Sequence, residues 1–199
     1  MVPKHTTSGF GLIELMVSIS IMLLLMTIII TRQDSFNGAT LLRGEAYEIA
    51  LLTREVQALA VSAASLGGAN DYRGVLGVHF SLAPSLNQTY KVFRDGDGDY
   101  FYDAGEEYGK GGQLDPRFII SEIRLIQGSA PPSRPPNISL VFERPNFDAK
   151  IFLSPNSPAP TVVSGVEIDV RVRGNAGSGP GAVRTVEITR TGQISVKNI

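Results

Sequence analysis

Residues 10–30 read FGLIELMVSISIMLLLMTIII, an apolar run interrupted by one charge, Glu14. At ~1.5 Å per helical residue, a run of this length covers the ~30 Å hydrocarbon core of a bilayer. It is longer than the apolar region of a cleaved secretory signal. The residues that follow it, TRQD at 31–34, offer no small-residue cleavage site. A buried core helix fits this length less well than a membrane span. Lys4 ahead of the run favours a cytoplasmic N-terminus. The run therefore reads as a single-pass segment with the N-terminus inside.

Glu14 needs an explanation that a plain anchor does not supply. A carboxylate inside an apolar helix costs about 2.5–3.5 kcal/mol at mid-membrane and less near an end. In the intact chain no nearby cation is evident. A cut between Gly9 and Phe10 would create an α-amine four residues before Glu14. Glu14 also falls in the first helical turn, where the macrodipole favours negative charge. Between helices shifted lengthwise, the amine of one could neutralise Glu14 of the next.

Ser8-Gly9-Phe10-Gly11-Leu12-Ile13-Glu14-Leu15-Met16 resembles the class III leader and cleavage site of type IV prepilins. The resemblance implies cleavage after Gly9 by a prepilin peptidase, N-methylation of Phe10, and Glu14 as the assembly carboxylate. Gly11 stands where the family usually has Thr. The implied organisation is a leader at 1–9, a transmembrane and assembly helix at 10–30, an amphipathic continuation at 31–68 and a β-rich head at 69–199. The implied partners are the peptidase, the inner membrane before assembly, and other pilin or pseudopilin subunits in a periplasmic or extracellular filament.

From Leu41 the apolar pattern narrows to a stripe. Leu42, Ile49, Val56 and Ala63 are seven apart; Leu52, Leu59 and Leu66 form a companion row that Glu45 opens. Arg43, Glu48, Arg54, Glu55 and Gln57 are expected on the opposite face. Gly67-Gly68 reads as the C-cap. Asn37-Gly38 is the expected weak point, since Gly lowers helix propensity by ~1 kcal/mol. The stripe predicts packing on the chain's own head rather than a coiled coil.

After Gly68 the pattern is β. Leu76, Val78, Phe80 and Leu82 alternate with other residues as in a half-buried strand; with 90–93, 118–126, 138–144, 149–153, 166–173, 183–190 and 194–197, residues 76–82 give about eight strands. In 166–173, valines and Ile168 alternate with Glu167, Asp169, Arg171 and Arg173, one apolar face and one ionic face. Thr191-Gly192 marks a tight turn, while the Pro-rich 130–136 and 154–160 read as surface loops. Residues 174–181 read as a Gly-rich hairpin loop. The predicted class is α+β, a long N-terminal helix on an antiparallel sheet or sandwich of about eight strands.

The acidic loop at residues 95–106 is the second informative stretch. Carboxylates of Asp95, Asp97, Asp99, Asp103 and Glu106 occupy loop places 1, 3, 5, 9 and 12, with the Phe101 carbonyl at place 7. Hard oxygen ligands at this spacing suit Ca²⁺. Tyr100 stands where an EF-hand loop has Gly, and the strand-like 90–93 rules out helix–loop–helix flanks. Between Lys91 and Glu107 six acids meet two bases, a local net charge of −4. The competing reading is a solvated acidic turn. The stretch also resembles the acidic turn of GspH/FimT-like minor pilins and pseudopilins, which points to a minor subunit.

Several function classes recede. No cysteine is present, which excludes disulfides, thiolate metal sites and a Cys nucleophile. Net charge is −1, so no global field attracts nucleic acid. Locally, Arg171, Arg173, Arg184, Arg190 and Lys197 face only Glu187 over residues 171–199 after Asp169, which leaves nucleic acid as a minor alternative in a DNA-capturing competence subunit. His79 and Ser81 share a strand face without a third catalytic member or a nucleophile elbow. The chain is expected not to be an enzyme. The expected function is a structural subunit of a type IV pilus or type II secretion-like filament; the alternative is a tethered calcium-binding or adhesive domain that never polymerises.

Overall fold

The computed structural model describes residues 11–62, 74–128, 131–174 and 182–198, with side chains at 31–37 and 198 left aside. Among the described residues one helix, α1 (Leu12–Val61), precedes ten strands. These are β1 (Val75–Ser81), β2 (Thr89–Asp95), β3 (Gly112–Gln113), β4 (Phe118–Ile126), β5 (Asn137–Phe142), β6 (Ala149–Ser154), β7 (Ser157–Pro158), β8 (Gly165–Val172), β9 (Val183–Thr189) and β10 (Ile194–Asn198). The α+β class is as expected. The two strands beyond the expected eight, β3 and β7, are two-residue edge strands, and β7 lies inside the predicted loop at 154–160.

The chain divides into two compact units, Met1–Ala39 and Thr40–Ile199. Within the second, the strands form two antiparallel sheets. Sheet A runs β3-β2-β1-β5-β6-β7 and sheet B runs β10-β9-β8-β4. Their inner faces share one core with the second half of α1. Leu42, Ile49 and Val56 are buried as the heptad spacing requires, joined by Ala46, Ala50, Thr53 and Ala60. Small residues let the helix approach the sheets closely, so Leu52 and Leu59 become the half-buried flank rather than a second core row. The helix runs through Asn37-Gly38 without a break. Its expected continuation to Leu66 and the Gly67-Gly68 cap lie outside the described residues.

Two expectations need correction. Gln57 does not sit on the solvent face: it is 8% exposed, and its Nε2 donates to the carbonyls of Phe147 (2.6 Å) and Gly192 (2.9 Å). It caps backbone groups of two turns that no strand could satisfy. Strand β1 is not half-buried. Leu76, Val78 and Phe80 face the main core, but His79 and Ser81 are also buried. Their cover is a second, outer cluster of Phe93, Phe101, Val141 and Phe152, flanked by Val75, Tyr100 and Tyr102. Alternating sequence cannot reveal a cover that comes from a loop.

Sheet B keeps its predicted two faces. Val166, Ile168 and Val170 are fully buried, while Glu167, Asp169 and Arg171 lie on the other face, where Arg124, Thr185, Glu187 and Lys197 meet them. The Thr191-Gly192 turn is present: Thr189 and Gln193 close it, with Gly192 at φ +81°.

Candidate functional site

The first candidate site is the N-terminal helix. Gly9 and Phe10 lie outside the described residues. Glu14 is in the first turn of α1, its amide donating to the Gly11 carbonyl at 3.0 Å. The Leu12–Ile30 segment has a mean hydropathy of 2.6, and none of it is buried within the chain. Its hydroxyls return to their own helix: Ser18 Oγ donates to the Glu14 carbonyl, Ser20 Oγ to Met16 and Thr27 Oγ1 to Leu23, at 2.7–2.8 Å. Polar side chains satisfied in this way can enter a membrane without an unpaired donor. What remains is an uncovered apolar helix whose sole charge is Glu14.

The second candidate site is the acidic loop. It leaves β2 at Asp95, crosses the outer face of sheet A and returns through a bridge between Phe93 and Glu107. Aromatic contacts hold it there. The Tyr100 ring stacks on Phe152 at 4.9 Å and 12°, and Lys150 Nζ lies 5.4 Å from the Tyr100 ring centre. The rings of Phe101 and Tyr102 flank His79 at 5.1 and 5.2 Å. Ser139 Oγ ties both layers together, lying 2.9 Å from His79 Nδ1 and accepting the Tyr102 amide at 3.2 Å. Burial in this apolar layer lowers the His79 pKa to about 4.

Tyr100 adopts the left-handed conformation, φ +64°, that its place in the loop requires. A side chain usually disfavours this region, and stacking on Phe152 anchors the strained residue. Asp95 accepts the amides of Gly98 (2.7 Å) and Tyr100 (3.1 Å). Carboxylate oxygens of Asp95, Asp97 and Asp99 lie within 4.8 Å of one another. Partial desolvation, followed by the neighbouring carboxylates, raises the Asp99 pKa, while the Phe101 amide opposes the rise. The structure thus brings three of the predicted ligands together. Asp103 and Glu106 stand outside that trio. Glu106 accepts the amides of Gly96 (2.8 Å) and Asp103 (3.2 Å), bracing the loop across its neck. The Phe101 amide donates to Asp99, and its ring belongs to the outer cluster. The oxygen-only trio fits a hard divalent cation in chemistry. As it stands, this is a partial set.

The ionic face of sheet B holds a network centred on Arg124, which pairs with Glu122, Glu167 and Asp169. Lys197 bridges Glu167 and Glu187 at 3.0 Å each, and Arg190 donates to the carbonyls of Ala159 and Pro160. Arg184 Nη1 donates to the Val183 carbonyl at 3.1 Å, so three of the five cations counted toward nucleic acid are already engaged. Ser81 Oγ accepts the Ala83 amide rather than meeting His79, whose partner is Ser139.

A family model described as the prokaryotic N-terminal methylation motif matches residues 4–30. It covers the Gly9-Phe10 junction, Glu14 and the apolar run. The motif indicates a type IV prepilin-like protein, and it implies processing by prepilin peptidase and assembly with other pilins. Together with the apolar helix it fits a single-pass inner-membrane protein. No curated protein and no solved structure matches the chain.

Sequence reasoning missed the aromatic clamp. Its signal was present: Tyr100, Phe101 and Tyr102 are three consecutive aromatics inside an otherwise polar loop.

Proposed function

We propose that this chain is a structural subunit, a minor pilin or pseudopilin, of a type IV pilus or type II secretion-like filament. One observation carries the reading. The methylation motif leads directly into a helix that is uncovered by its own chain and has Glu14 in its first turn. The chain enters the inner membrane with its N-terminus inside. Cleavage after Gly9 creates the Phe10 amine, and burial of the apolar helices among one another drives assembly. Glu14 of one subunit neutralises the amine of the next, a heterologous contact that need not close and so extends a fibre.

Two measurements test this. Mass spectrometry of the protein from cells with a prepilin peptidase should give a chain starting at Phe10 with one added methyl; an intact Met1 would sink the processing step. Glu14→Val should leave membrane insertion intact and reduce incorporation into filaments. Undiminished incorporation would favour a tethered domain that does not polymerise.

We also propose a structural Ca²⁺ at the acidic loop, held by Asp95, Asp97 and Asp99, with Asp103, Glu106 and the Phe101 carbonyl completing the shell. Support comes from the proximity of the three carboxylates and the left-handed Tyr100. A hundredfold excess of ligand over Kd stabilises a folded form by ~2.7 kcal/mol. Melting of the Thr40–Ile199 unit should therefore rise by several degrees in calcium over chelator. Asp95→Ala should abolish most of the shift, and Asp115→Ala, outside the loop, should leave it. Identical melting in both conditions would leave a solvated acidic surface.

A further inference from the structure

Within the Thr40–Ile199 unit, the solvent face of α1 carries charges that its own helix cannot pair. Arg43, Tyr47, Glu48, Leu51, Arg54 and Glu55 are all exposed. Arg43 and Arg54 stand eleven residues apart, about three turns, and Glu48 and Glu55 stand seven apart, about two turns. Each pair therefore forms a row along one flank, a basic row with Tyr47 between its arginines and an acidic row. Opposite charges support a helix when they stand three or four residues apart. No Arg and Glu among these four have that spacing. None of the four makes an ion pair among the described residues.

The two rows differ in what lies beside them. A groove of about 210 Å³ runs along the acidic row, between α1 and residues 108–111. Val56 is buried in it, Leu52, Leu59 and Tyr108 are half-buried, and Glu55 and Lys110 are its charged lining. Glu45 shares this flank but has Arg117 beside it, so it is not counted with the unpaired acids. On the basic row, Arg43 Nη2 donates to the Tyr47 hydroxyl at 3.4 Å, and its guanidinium lies 5.4 Å from the ring centre. The two side chains are thus presented together, with Tyr47 43% exposed. Arg54 Nη2 donates to the Ile194 carbonyl at 2.6 Å, which orients the side chain and leaves its charge without a carboxylate.

One chain therefore carries both halves of a contact. An aromatic ring between two arginines matches an apolar recess flanked by two carboxylates, in shape and in charge. Tyrosine and arginine are also the residue types that anchor interfaces. We propose that the Tyr47 row of one copy docks against the groove and acidic row of a second copy. Tyr47 enters between Leu52 and Leu59, while Arg43 and Arg54 meet Glu48 and Glu55. The two surfaces lie on different flanks of one helix, so a docked copy still offers its own groove. The contact is heterologous and can extend. It rests on the prepilin-type reading only for holding copies side by side in one membrane. To the Glu14 contact it adds a second contact, in the head, whose charges favour another copy of this chain as the neighbour.

The chain has no cysteine, so single thiols can be placed without background. Two differently tagged full-length copies are produced in one cell, one with Leu51→Cys beside the basic row and one with Lys110→Cys beside the groove. Isolated membranes are treated with a short bismaleimide. The 51–110 product should dominate over 51–51 and 110–110. It should fall in 0.5 M NaCl, where the Debye length is about 4 Å. Tyr47→Ala, or Arg43→Glu with Arg54→Glu, in the Leu51→Cys copy should lower the yield roughly tenfold. Glu48→Arg with Glu55→Arg in the other copy should restore the charge-reversed pair. Because Arg54 also bonds within its own head, Arg43→Glu against Glu48→Arg repeats the exchange with that bond intact. A dominant 51–51 product would overturn the proposal, since it reports a closed face-to-face pair. A yield indifferent to charge reversal, or a reversal that the second copy does not rescue, would overturn it as well. Mass spectrometry of the same samples reads processing separately. A chain starting at Phe10 without the 51–110 product overturns this contact alone, whereas an intact Met1 with that product keeps the contact and removes the filament reading.

Discussion

Replacing Tyr100 separates the strain in the acidic loop from the contacts that offset it. A non-glycine residue in the left-handed region costs about 1–2 kcal/mol, and Tyr100 is there at φ +64°. Its ring returns about 0.5–1.5 kcal/mol through stacking on Phe152, with burial of apolar surface added. Tyr100→Gly removes both the strain and the ring, and it adds about 0.5–1 kcal/mol of chain entropy in the unfolded state. The net expectation is a loss of about 1 kcal/mol. Tyr100→Ala loses the ring but keeps the left-handed strain, so it should fall about 1 kcal/mol below the Gly variant. Urea unfolding of the Thr40–Ile199 unit, followed by circular dichroism in chelator, would measure both differences. The order wild type, Gly, Ala is the signature of a strained residue held by stacking. An Ala variant as stable as the Gly variant would refute the left-handed assignment and the turn argument built on it.

Gln57→Leu should cost about 1–3 kcal/mol, because the Phe147 and Gly192 carbonyls lose their donor; the same urea titration reads it. Gly77→Ala places a Cβ about 2.4 Å from the Phe93 ring, so it should destabilise by about 1–3 kcal/mol and loosen the outer cluster, seen as faster amide exchange at Phe101 and Tyr102. Glu45 is half-buried, one carboxylate oxygen lacks a partner, and desolvation raises its pKa above the usual 4.5. A raised acid contributes nothing below pH 4.5, where both folded and unfolded forms are protonated, and becomes a penalty as pH climbs through the folded pKa. Glu45→Gln should therefore raise the melting temperature at pH 7–8 and leave it nearly unchanged near pH 3.

The candidate membrane span, the amphipathic stripe and the two-faced strand β8 were legible in the sequence because each depends on a local period or a local composition. Residues 10–30 exclude most alternatives by length and hydropathy alone, and Gly9, Phe10 and Glu14 carry a signal that depends on spacing and not on tertiary contacts. The acidic loop was legible as chemistry but not as geometry. Carboxylate spacing named five side chains, while only the folded loop shows that Asp95, Asp97 and Asp99 converge and that Glu106 turns to backbone amides. The buried outer face of β1, the inward Gln57 and the left-handed Tyr100 have a common reason for being hidden. Each depends on a partner distant along the chain: the loop aromatics over His79, the turns at Phe147 and Gly192, and Phe152 under the tyrosine ring. A sequence states what each residue prefers; the tertiary structure decides which preference a distant neighbour can override.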